Sequence, residues 1–472
     1  MSSFGASPLG DMLSVSALPD QAQVKKPAVT SGIIKSASRY TWYPNSRGSY
    51  VISSTSAQNT ITFNLTGNQF LDNSTAVLAF RVTGATLEDT GPGPVCLANA
   101  CEIFERISIS VGGSTPYVIQ DPYVLYSFFK RMSSDAWAKT NGGYDFDFYD
   151  FTNDLDTAYA DAIQNNQYRV VNRVTRLSAL QTAGLDYMIP LAWLPIFNIN
   201  NTYFPLRHAP IQIEITLRPT ITGVLTGFNA NPLNAAAQLT ISDMRVHSRG
   251  VIPNDNYYNL MADRVTHGAG IAMLSDWTSR QNRPIDLNTG GQLNFTINNS
   301  FRFLKSVVIV ARNQATLSNS NAWKSTGGRF YSDTNPGFSL NVNGIQYPMD
   351  GRDLRTMPEI YMELLSAVGS SVSDTNHAVS ISPLQFRRPV QASTLDAANY
   401  VQSLPVAYVG FDLRQYNADA EEVLQGADTR AGGGMLCQFN GGSIAQTAQI
   451  SSYCFTSSIL VLKDAQVALI TL

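Results

Sequence analysis

The stretch Asp186–Pro219 reads DYMIPLAWLPIFNINNTYFPLRHAPIQIEITLRP. Its last part alternates strictly between apolar and polar residues, and the apolar residues are Ile211, Ile213, Ile215 and Leu217. This period of two predicts a β-strand with one buried face. Upstream, an apolar and aromatic run is interrupted at Pro190, Pro195, Pro205 and Pro210. Because each proline restricts the backbone, the chain must turn repeatedly beside a core. The stretch therefore predicts the end of a large β-domain.

The composition indicates a long chain with a mostly neutral polar surface. At 472 residues it exceeds the size of one ordinary core and suggests two domains. Hydrophobic residues make up 44% of the chain, which is enough for large cores. Charged residues make up only 14%, against roughly 25% in a typical soluble protein. Such a surface suits β-proteins that pack against neighbours over much of their area.

The charge distribution argues against direct nucleic-acid binding. The formal net charge is −3, and no run of Lys and Arg is longer than two residues. A protein that condenses nucleic acid usually carries a basic arm, because the neutralisation of phosphates dominates such binding. We therefore expect neither direct sequence-specific nucleic-acid binding nor packaging of a genome by this chain.

Residues 1–30 are small, polar and interrupted by proline, with scattered apolar residues. This pattern predicts an extended arm that becomes ordered only against a partner. The arm lacks a basic region followed by an apolar region, and no apolar run in the chain approaches about 18 residues. We expect a protein without a signal peptide that neither follows the usual secretory route nor spans a membrane.

The chain contains an internal repeat. Ile107–Gly113 reads ISISVGG and Phe338–Gly344 reads FSLNVNG, so each copy is an alternating strand that meets a turn. Asn343–Gly344 predicts a type I′ hairpin. A helix that begins with proline follows each turn, with PYVLYSFF from Pro122 and PEIYMELL from Pro358. The order of strand, turn and helix therefore occurs twice.

Two later pairs of strands repeat more loosely. Pro210–Arg218 corresponds to Pro405–Arg414, and Leu239–Val246 corresponds to either Ile459–Leu462 or Val467–Ile470. Short strands separated by loops, without regular helical intervals, are typical of antiparallel sandwiches. The patterns together predict two copies of one β-sandwich in tandem.

The fold class that follows is all-β. We predict an N-terminal arm at residues 1–30, a first domain at residues 31–252 and a second domain at residues 253–472. Between the domains, Arg249–Arg264 reads RGVIPNDNYYNLMADR. Its proline and asparagine residues predict a linker with room for a short helix.

Six segments carry a resemblance to a known family, and they are Ile107–Arg131, Tyr187–Leu191, Tyr203–Leu206, Ile211–Leu217, Leu293–Arg312 and Leu340–Gly344. They are similar to segments of the double jelly-roll major capsid proteins of double-stranded DNA viruses. These proteins occur in the adenovirus and tailless-bacteriophage lineage, in nucleocytoplasmic large DNA viruses, in virophages and in polinton-like viruses. The chain departs from the giant-virus members after the first domain, where a charged cluster is reduced to Arg245, Arg249 and Asp255.

The resemblance implies two tandem eight-stranded antiparallel jelly rolls with short inserted helices. It also implies a major capsid protein whose homotrimer is a pseudo-hexagonal capsomer that tiles an icosahedral virion shell. The implied partners are neighbouring capsomers and minor capsid or penton proteins, and an internal membrane is a further candidate partner of the N-terminal arm. We expect trimer contacts in aromatic loops such as residues 86–100, 141–160 and 415–457, and we expect the protein in the virion.

The sequence predicts no catalytic residue, metal site or cofactor. The acidic stretch Asp145–Asp156 reads DFDFYDFTNDLD, but it lacks the glycine and the terminal glutamate of an EF-hand, and we interpret it as an interface loop. The histidines lack metal-ligand spacing, and they are His208, His247, His267 and His377. The cysteines are expected to be free thiols, and they are Cys96, Cys101, Cys437 and Cys454.

Two other functions stay open on the sequence alone. A minor capsid or spike protein would have the same fold, and its copy number in the particle would separate it from a major capsid protein. A carbohydrate-binding β-sandwich protein, or a β-sandwich glycosidase, would also contain tandem sandwiches and surface aromatic residues. The lack of a signal peptide, the few cysteines and the lack of an obvious carboxylate pair count against that second class.

Overall fold

The computed structural model describes most of the chain between residues 34 and 471. The described residues are 34–46, 48–55, 58–86, 95–97, 100–114, 116–126, 184–199, 203–221, 224–227, 236–268, 270–286, 291–313, 337–348, 353–368, 408–414, 426–430, 434–441, 447–463 and 466–471. The predicted N-terminal arm and the acidic stretch Asp145–Asp156 lie outside them.

The first half of the chain forms two antiparallel sheets that enclose a core. Its strands are β1 (Ile34–Trp42), β2 (Tyr50–Ser53), β3 (Thr60–Leu65), β4 (Phe70–Ala85), β5 (Val95–Leu97), β6 (Phe104–Val111), β7 (Tyr117–Gln120), β8 (Leu185–Pro190), β9 (Phe204–Pro205), β10 (Ile211–Leu217), β11 (Leu225–Gly227) and β12 (Gln238–Pro253). The larger sheet has the order β1-β12-β4-β8, with β2 beside β12 and β9 beside β4, and the smaller sheet has the order β3-β10-β6-β7. Strands β5 and β11 form a separate two-stranded sheet. A short 3-10 helix at Ala100–Ile103 precedes β6.

The second half forms another pair of antiparallel sheets. Helix α1 (Asp255–His267) leads into it, and its elements are β13 (Ile271–Asp286), β14 (Gly291–Ile297), β15 (Leu304–Asn313), β16 (Gly337–Val342), β17 (Ile345–Tyr347), α2 (Met357–Ala367), β18 (Tyr408–Asp412), β19 (Met435–Gly441), β20 (Thr447–Lys463) and β21 (Gln466–Thr471). The larger sheet has the order β13-β20-β15-β18, with β21 beside β20, and the smaller sheet has the order β14-β19-β16-β17.

The two halves have the same topology. In the first half, the principal strands in chain order are β1, β3, β4, β6, β7, β8, β10 and β12; in the second half they are β13 to β20. Numbered from one to eight, they pair as 1-8-3-6 in the larger sheet and as 2-7-4-5 in the smaller sheet of both halves. Two four-stranded antiparallel sheets with this connectivity form a jelly roll. The predicted fold of two tandem jelly rolls is confirmed.

Strand β10 lies at the centre of the smaller sheet of the first jelly roll, between β3 and β6. Ile211, Ile213 and Ile215 are buried in the core, whereas Gln212 is exposed. On the polar face, the Glu214 carboxylate accepts a hydrogen bond of 2.5 Å from Arg106 of β6. The alternation read from the sequence therefore describes this strand as far as Ile215, whereas Thr216 is buried together with its apolar neighbours.

The repeated strand, turn and helix are also present. In the second jelly roll, Val342 pairs with Ile345 around the turn. Asn343 and Gly344 have φ angles of 54° and 86°, as a type I′ turn requires. Residues 122–126 are helical in the first jelly roll, and α2 occupies the same place in the second. Thr356 caps α2 in a capping box with Glu359.

Three details of the sequence interpretation are wrong. Pro405–Arg414 contains β18, which is the sixth strand of its jelly roll and corresponds to β8 rather than to β10. The residues at the start of the expected linker, up to Pro253, belong to β12, and α1 follows them. The expected interface loop 415–457 contains β19 and much of β20. In each case, hydrogen bonding with strands that are distant in sequence determined which residues form a strand and where that strand lies in the sheet.

Candidate functional site: the junction between the jelly rolls

The two jelly rolls meet at a buried junction that both aromatic and charged side chains occupy. Tyr117 of β7 packs against Trp277 of β13, with ring centroids 4.7 Å apart and an interplanar angle of 77°. Edge-to-face pairs of this kind are favourable beyond the area that they bury. Burial raises the pKa of Tyr117, and the neighbouring Tyr453 of β20 raises it further. The Tyr117 hydroxyl therefore stays protonated in the folded chain.

Arg280 of β13 carries a positive charge into this junction. Its guanidinium donates to the Asp121 carboxylate at 3.1 Å and to the backbone carbonyl of Gln120. It also lies over the Tyr453 ring at 5.8 Å. The other Asp121 carboxylate oxygen accepts a 2.9 Å bond from Arg218. Two arginines, one from each jelly roll, thus share one carboxylate.

Hydrogen bonds that involve polar side chains fix the junction at a second point. The Ile196 N–H donates to Ser275 Oγ at 2.8 Å, and that hydroxyl donates to Asn198 Oδ1 at 2.8 Å. The Ile196 carbonyl accepts a 2.7 Å bond from the buried Asn73 amide. Ile196 has a φ of 75°, which is rare for a β-branched residue. Hydrogen bonds from both jelly rolls therefore hold a strained residue.

A tight turn of the first jelly roll touches the last strand of the second. Gly112 has a φ of 54°, and a Cβ at this position would lie 2.1 Å from Cγ2 of Val467 in β21. Both the left-handed backbone and the close approach require glycine here. The glycine turn predicted from the sequence is therefore a contact between the two jelly rolls.

One hydrophobic cluster runs from the core of the first jelly roll onto the outer face of the second. Its members from the second jelly roll include Ile271, Met273, Val308, Val310, Tyr408, Tyr453, Leu460 and Leu462. Alternate residues of the same strands fill the separate interior cluster of the second jelly roll, namely Val307, Ile309, Val409, Phe411 and Cys454. The larger sheet of the second jelly roll is therefore apolar on both faces.

Strand β20 is buried on both faces and uses small hydroxyl residues for this purpose. Thr456 Oγ1 donates to the Phe303 carbonyl at 2.7 Å, and Ser458 Oγ donates to the Ser275 carbonyl at 3.0 Å. A buried hydroxyl costs little stability once it is hydrogen-bonded. These serines and threonines, which resemble surface residues in the sequence, are interior residues.

The three histidines that the structure describes do not form a shared site. His247 interacts with Thr41 at 2.7 Å through Nδ1 and accepts a bond from Arg245 at 2.9 Å through Nε2. His267 contacts Asp263 on the exposed side of α1, and the His208 ring stacks on Tyr258 of the same helix. His377 lies outside the described residues. Within the described ranges, no group of three or more His, Cys, Asp or Glu residues could hold a metal ion.

Three of the four cysteines are buried. Cys101, Cys437 and Cys454 form no disulfide, as expected for them. Burial raises the pKa of Cys454 to about 12, although the hydrogen bond from the Asn299 amide acts to lower it. A thiol with so high a pKa is unreactive at neutral pH. These three cysteines are thus part of the cores.

The junction was not predicted from the sequence. Asp121 and Arg280 are 159 positions apart, and Asp121 and Arg218 are 97 positions apart. No spacing rule connects residues at such distances. The sequence also predicted interface residues at 141–160, which lie outside the described segments. No helix among the described residues is both long enough and apolar enough to cross a membrane.

Comparison with solved structures agrees with this architecture. No protein-family model matches the chain, and no curated protein matches it. Among solved structures, a chain of the Sputnik virophage has a TM-score of 0.56 at 11% identity, covering 95% of this chain and 90% of that chain. The capsid protein VP54 of PBCV-1, which was fitted into a reconstruction of Sputnik, has a TM-score of 0.55 at 10% identity, covering 94% and 98%.

The Faustovirus major capsid protein is similar as well. Its TM-score is 0.52 at 9% identity, and the alignment covers 93% of this chain and 92% of that chain. All three likenesses extend over both halves of the chain, so they include the tandem arrangement and not one sandwich alone. This chain therefore has the double jelly-roll fold that these viral capsid proteins share.

Proposed function

We propose that this protein is a major capsid protein that assembles as a pseudo-hexagonal homotrimer and tiles an icosahedral virion shell. The observation that supports this most strongly is the junction. Two jelly rolls with the same strand order lie side by side in one chain, joined by a continuous hydrophobic cluster and by the ionic contact of Arg280 with Asp121. The chain is thus a preassembled pair of equivalent building blocks.

The pair explains how a ring with six similar blocks arises from three chains. A contact that joins unlike surfaces head to tail generates a closed ring when the rotation between neighbours closes. If the contact between chains resembles the contact within the chain, then three chains place six jelly rolls around one axis. Rings of this shape tile a curved surface through contacts with neighbouring capsomers. The role is structural, and it involves assembly rather than catalysis.

The energetics of such an assembly favour apolar contacts over charged ones. Obligate interfaces commonly bury roughly 2,000 Å² or more, and a few buried aromatic or apolar residues contribute most of the binding free energy. Truncating such a residue inside an interface should therefore weaken the trimer more than changing a charge at its rim. The low content of charged residues, 14%, is consistent with extensive contacts between chains.

We assign separate roles to the segments of the chain. Residues 31–252 and 253–472 are the two structural domains, and residues 1–30 are an arm for minor capsid or penton proteins, for a neighbouring capsomer or for an internal membrane. Deleting residues 1–25 should leave the trimer intact and prevent shell assembly. Size-exclusion chromatography of the truncated protein, with electron microscopy of assembly reactions, tests this. Loss of the trimer itself would contradict the assignment.

The native mass of the purified protein tests the main proposal. Light scattering should give a species near three times 51.5 kDa, and negative-stain images of the same fraction should have a hexagonal outline. A protein that stays monomeric at all salt concentrations, and after partner proteins are added, would contradict the proposal. In that case a screen for carbohydrate binding would be the next experiment.

A further inference from the structure

The first strands of the two jelly rolls can be compared residue by residue. In the first jelly roll the Leu191 N–H donates to the Ala76 carbonyl, and in the second the Leu413 N–H donates to the Lys305 carbonyl. In both cases the donor directly follows the sixth strand. These bonds set Leu78 of β4 level with Val307 of β15.

The pairing of neighbouring strands extends this alignment to the first strand of each jelly roll. Leu78 is opposite Val246 of β12, and Val307 is opposite Cys454 of β20. Following β12 and β20 to their outer neighbours sets Ser38 of β1 level with Ser275 of β13. The same register sets Tyr40 level with Trp277. Ser275 and Trp277, which both lie at the junction, therefore have counterparts in the first jelly roll.

The two first strands differ in what covers them. Ile271, Met273 and Ser275 of β13 are buried, and the first jelly roll contacts this strand at Ser275, Trp277 and Arg280. Residues 35–39 of β1 are all exposed in the isolated chain. An exposed strand at the edge of a sheet presents unpaired backbone groups and is a ready site for another chain. The same position is thus covered in one jelly roll and open in the other.

The other side of the junction also has a counterpart. Within the chain, the turn after β6 and the strand β7 approach the second jelly roll, through Gly112 against Val467 and Tyr117 against Trp277. The corresponding elements of the second jelly roll are the turn after β16 and the strand β17, because Tyr347 pairs with Leu340 as Tyr117 pairs with Ile109.

Strand β17 exposes a large apolar residue directly after this turn. Ile345 is 51% exposed. An exposed isoleucine beside a tight turn gains stability when another surface covers it. The turn after β16 therefore presents one exposed apolar residue at the place that corresponds to the docking turn of the first jelly roll, whereas Tyr347 packs into the interior cluster of the second jelly roll.

We propose that strand β17 and its turn in one chain dock onto strand β1 of a second copy of the same chain, at residues 35–40. By strand position, this contact between chains corresponds to the contact that β7 and β13 make within a chain. It rests on the proposed homotrimer and specifies its interface. Ile345 lies on one side, and Ser38 and Tyr40 lie on the other. The basic residues Lys35 and Arg39 border the contact on β1.

Replacing the exposed apolar residue tests one side of the contact. Ile345→Asp should raise at least tenfold the protein concentration at which half of the chains are trimeric, measured by analytical ultracentrifugation. Leu260→Asp is the matched control, because Leu260 is 55% exposed on α1 and outside the proposed contact. Both variants should keep the circular dichroism spectrum of the original protein. A trimer of Ile345→Asp as stable as the original, or equal weakening by Leu260→Asp, would overturn the proposal.

A photocrosslinking amino acid at Ser38 tests the other side. Chains labelled with heavy nitrogen are mixed with unlabelled chains, so that crosslinks between chains have a mixed isotope pattern. We expect crosslinked peptides that contain β17, and none from the same probe at Thr266 of α1. Crosslinks from Ser38 to the first jelly roll of a partner, or to residues 1–33 of either chain, would overturn this interface. Failure to trimerise at all would instead contradict the proposed function.

Discussion

Replacing Asp121 with asparagine is expected to loosen the junction between the jelly rolls while leaving each jelly roll folded. Asp121 has a φ of 44°, and asparagine is among the few residues that adopt this left-handed conformation readily. The substitution keeps the size of the side chain and one oxygen acceptor. It removes the negative charge that Arg218 and Arg280 share. The backbone and the helix that begins at residue 122 should therefore stay in place.

The burial of the two partners sets the size of the effect. The Arg280 side chain is 8% exposed and the Asp121 side chain is 27% exposed, so this pair lies between a surface pair and a fully buried pair. Surface pairs contribute about 0–1 kcal/mol, and breaking a fully buried pair costs about 3–5 kcal/mol. Because water reaches Asp121 and asparagine still accepts a hydrogen bond, we expect a loss of about 2 kcal/mol.

Hydrogen exchange measures this loss at the junction itself. The Ile196 N–H donates across the junction to Ser275 Oγ, so its exchange requires the jelly rolls to separate locally. A loss of about 2 kcal/mol corresponds to exchange about 30-fold faster. Mass spectrometry of peptides that cover residues 191–199 would resolve such a change. Peptides from the interior of each jelly roll, for example from β10, should exchange as before.

Two comparisons make this prediction refutable. Asp428→Asn removes the same charge from an exposed pair with Arg430 in the second jelly roll, and it should not change exchange at residues 191–199. The double variant with Arg280→Met should lose less stability than the sum of the two single variants, because each substitution removes the same interaction. Unchanged exchange in Asp121→Asn, or strictly additive losses, would refute the role given to this ion pair.

Three further substitutions or treatments test other parts of the structure. Gly410→Val should lower the thermal midpoint through a loss of about 1–3 kcal/mol, because a Cβ on β18 would lie 2.9 Å from Leu364 Cδ1 and 2.9 Å from Ala367 Cβ of α2; an unchanged midpoint would contradict the packing of α2. Burial lowers the pKa of His247, and Arg39 and Arg245 lower it further. The folded state therefore binds fewer protons than the unfolded state, so this stability is complete above the unfolded pKa of about 6.5 and is lost as the pH falls towards the folded pKa. His247→Gln should accordingly reduce the difference between urea midpoints at pH 7.5 and pH 5.5, and an equal difference would contradict this assignment. Cys454, whose pKa burial raises to about 12, should not react with a thiol reagent at pH 8 until the protein unfolds, as mass spectrometry of labelled peptides would report.

The parts of the fold that local rules determine could be predicted from the sequence. The strand around Ile213, the turn at Asn343 and Gly344 and the proline-led helices follow from alternation, left-handed backbone preferences and capping. The sequence pattern matched β18 to the wrong strand of the first jelly roll, because β18 is buried along its whole length. Helix α2 covers its outer face, so no alternation reveals which strand it is. The junction was not predictable, since its residues come together only after both jelly rolls have formed.

The internal repeat is faint in the sequence because equivalent strands have different neighbours. Strands β12 and β20 are both the eighth strand of a jelly roll. β20 lies between two apolar layers and consists largely of small hydroxyl and apolar residues, whereas β12 has Arg245, His247 and Arg249 on one face. The repeat is clear at the turn after β6 and β16, where backbone geometry constrains both copies alike. When the sequences of equivalent strands differ, as in β12 and β20, the surfaces that cover these strands differ as well. In a chain that docks onto copies of itself, such a difference separates the contact within the chain from the contact between chains.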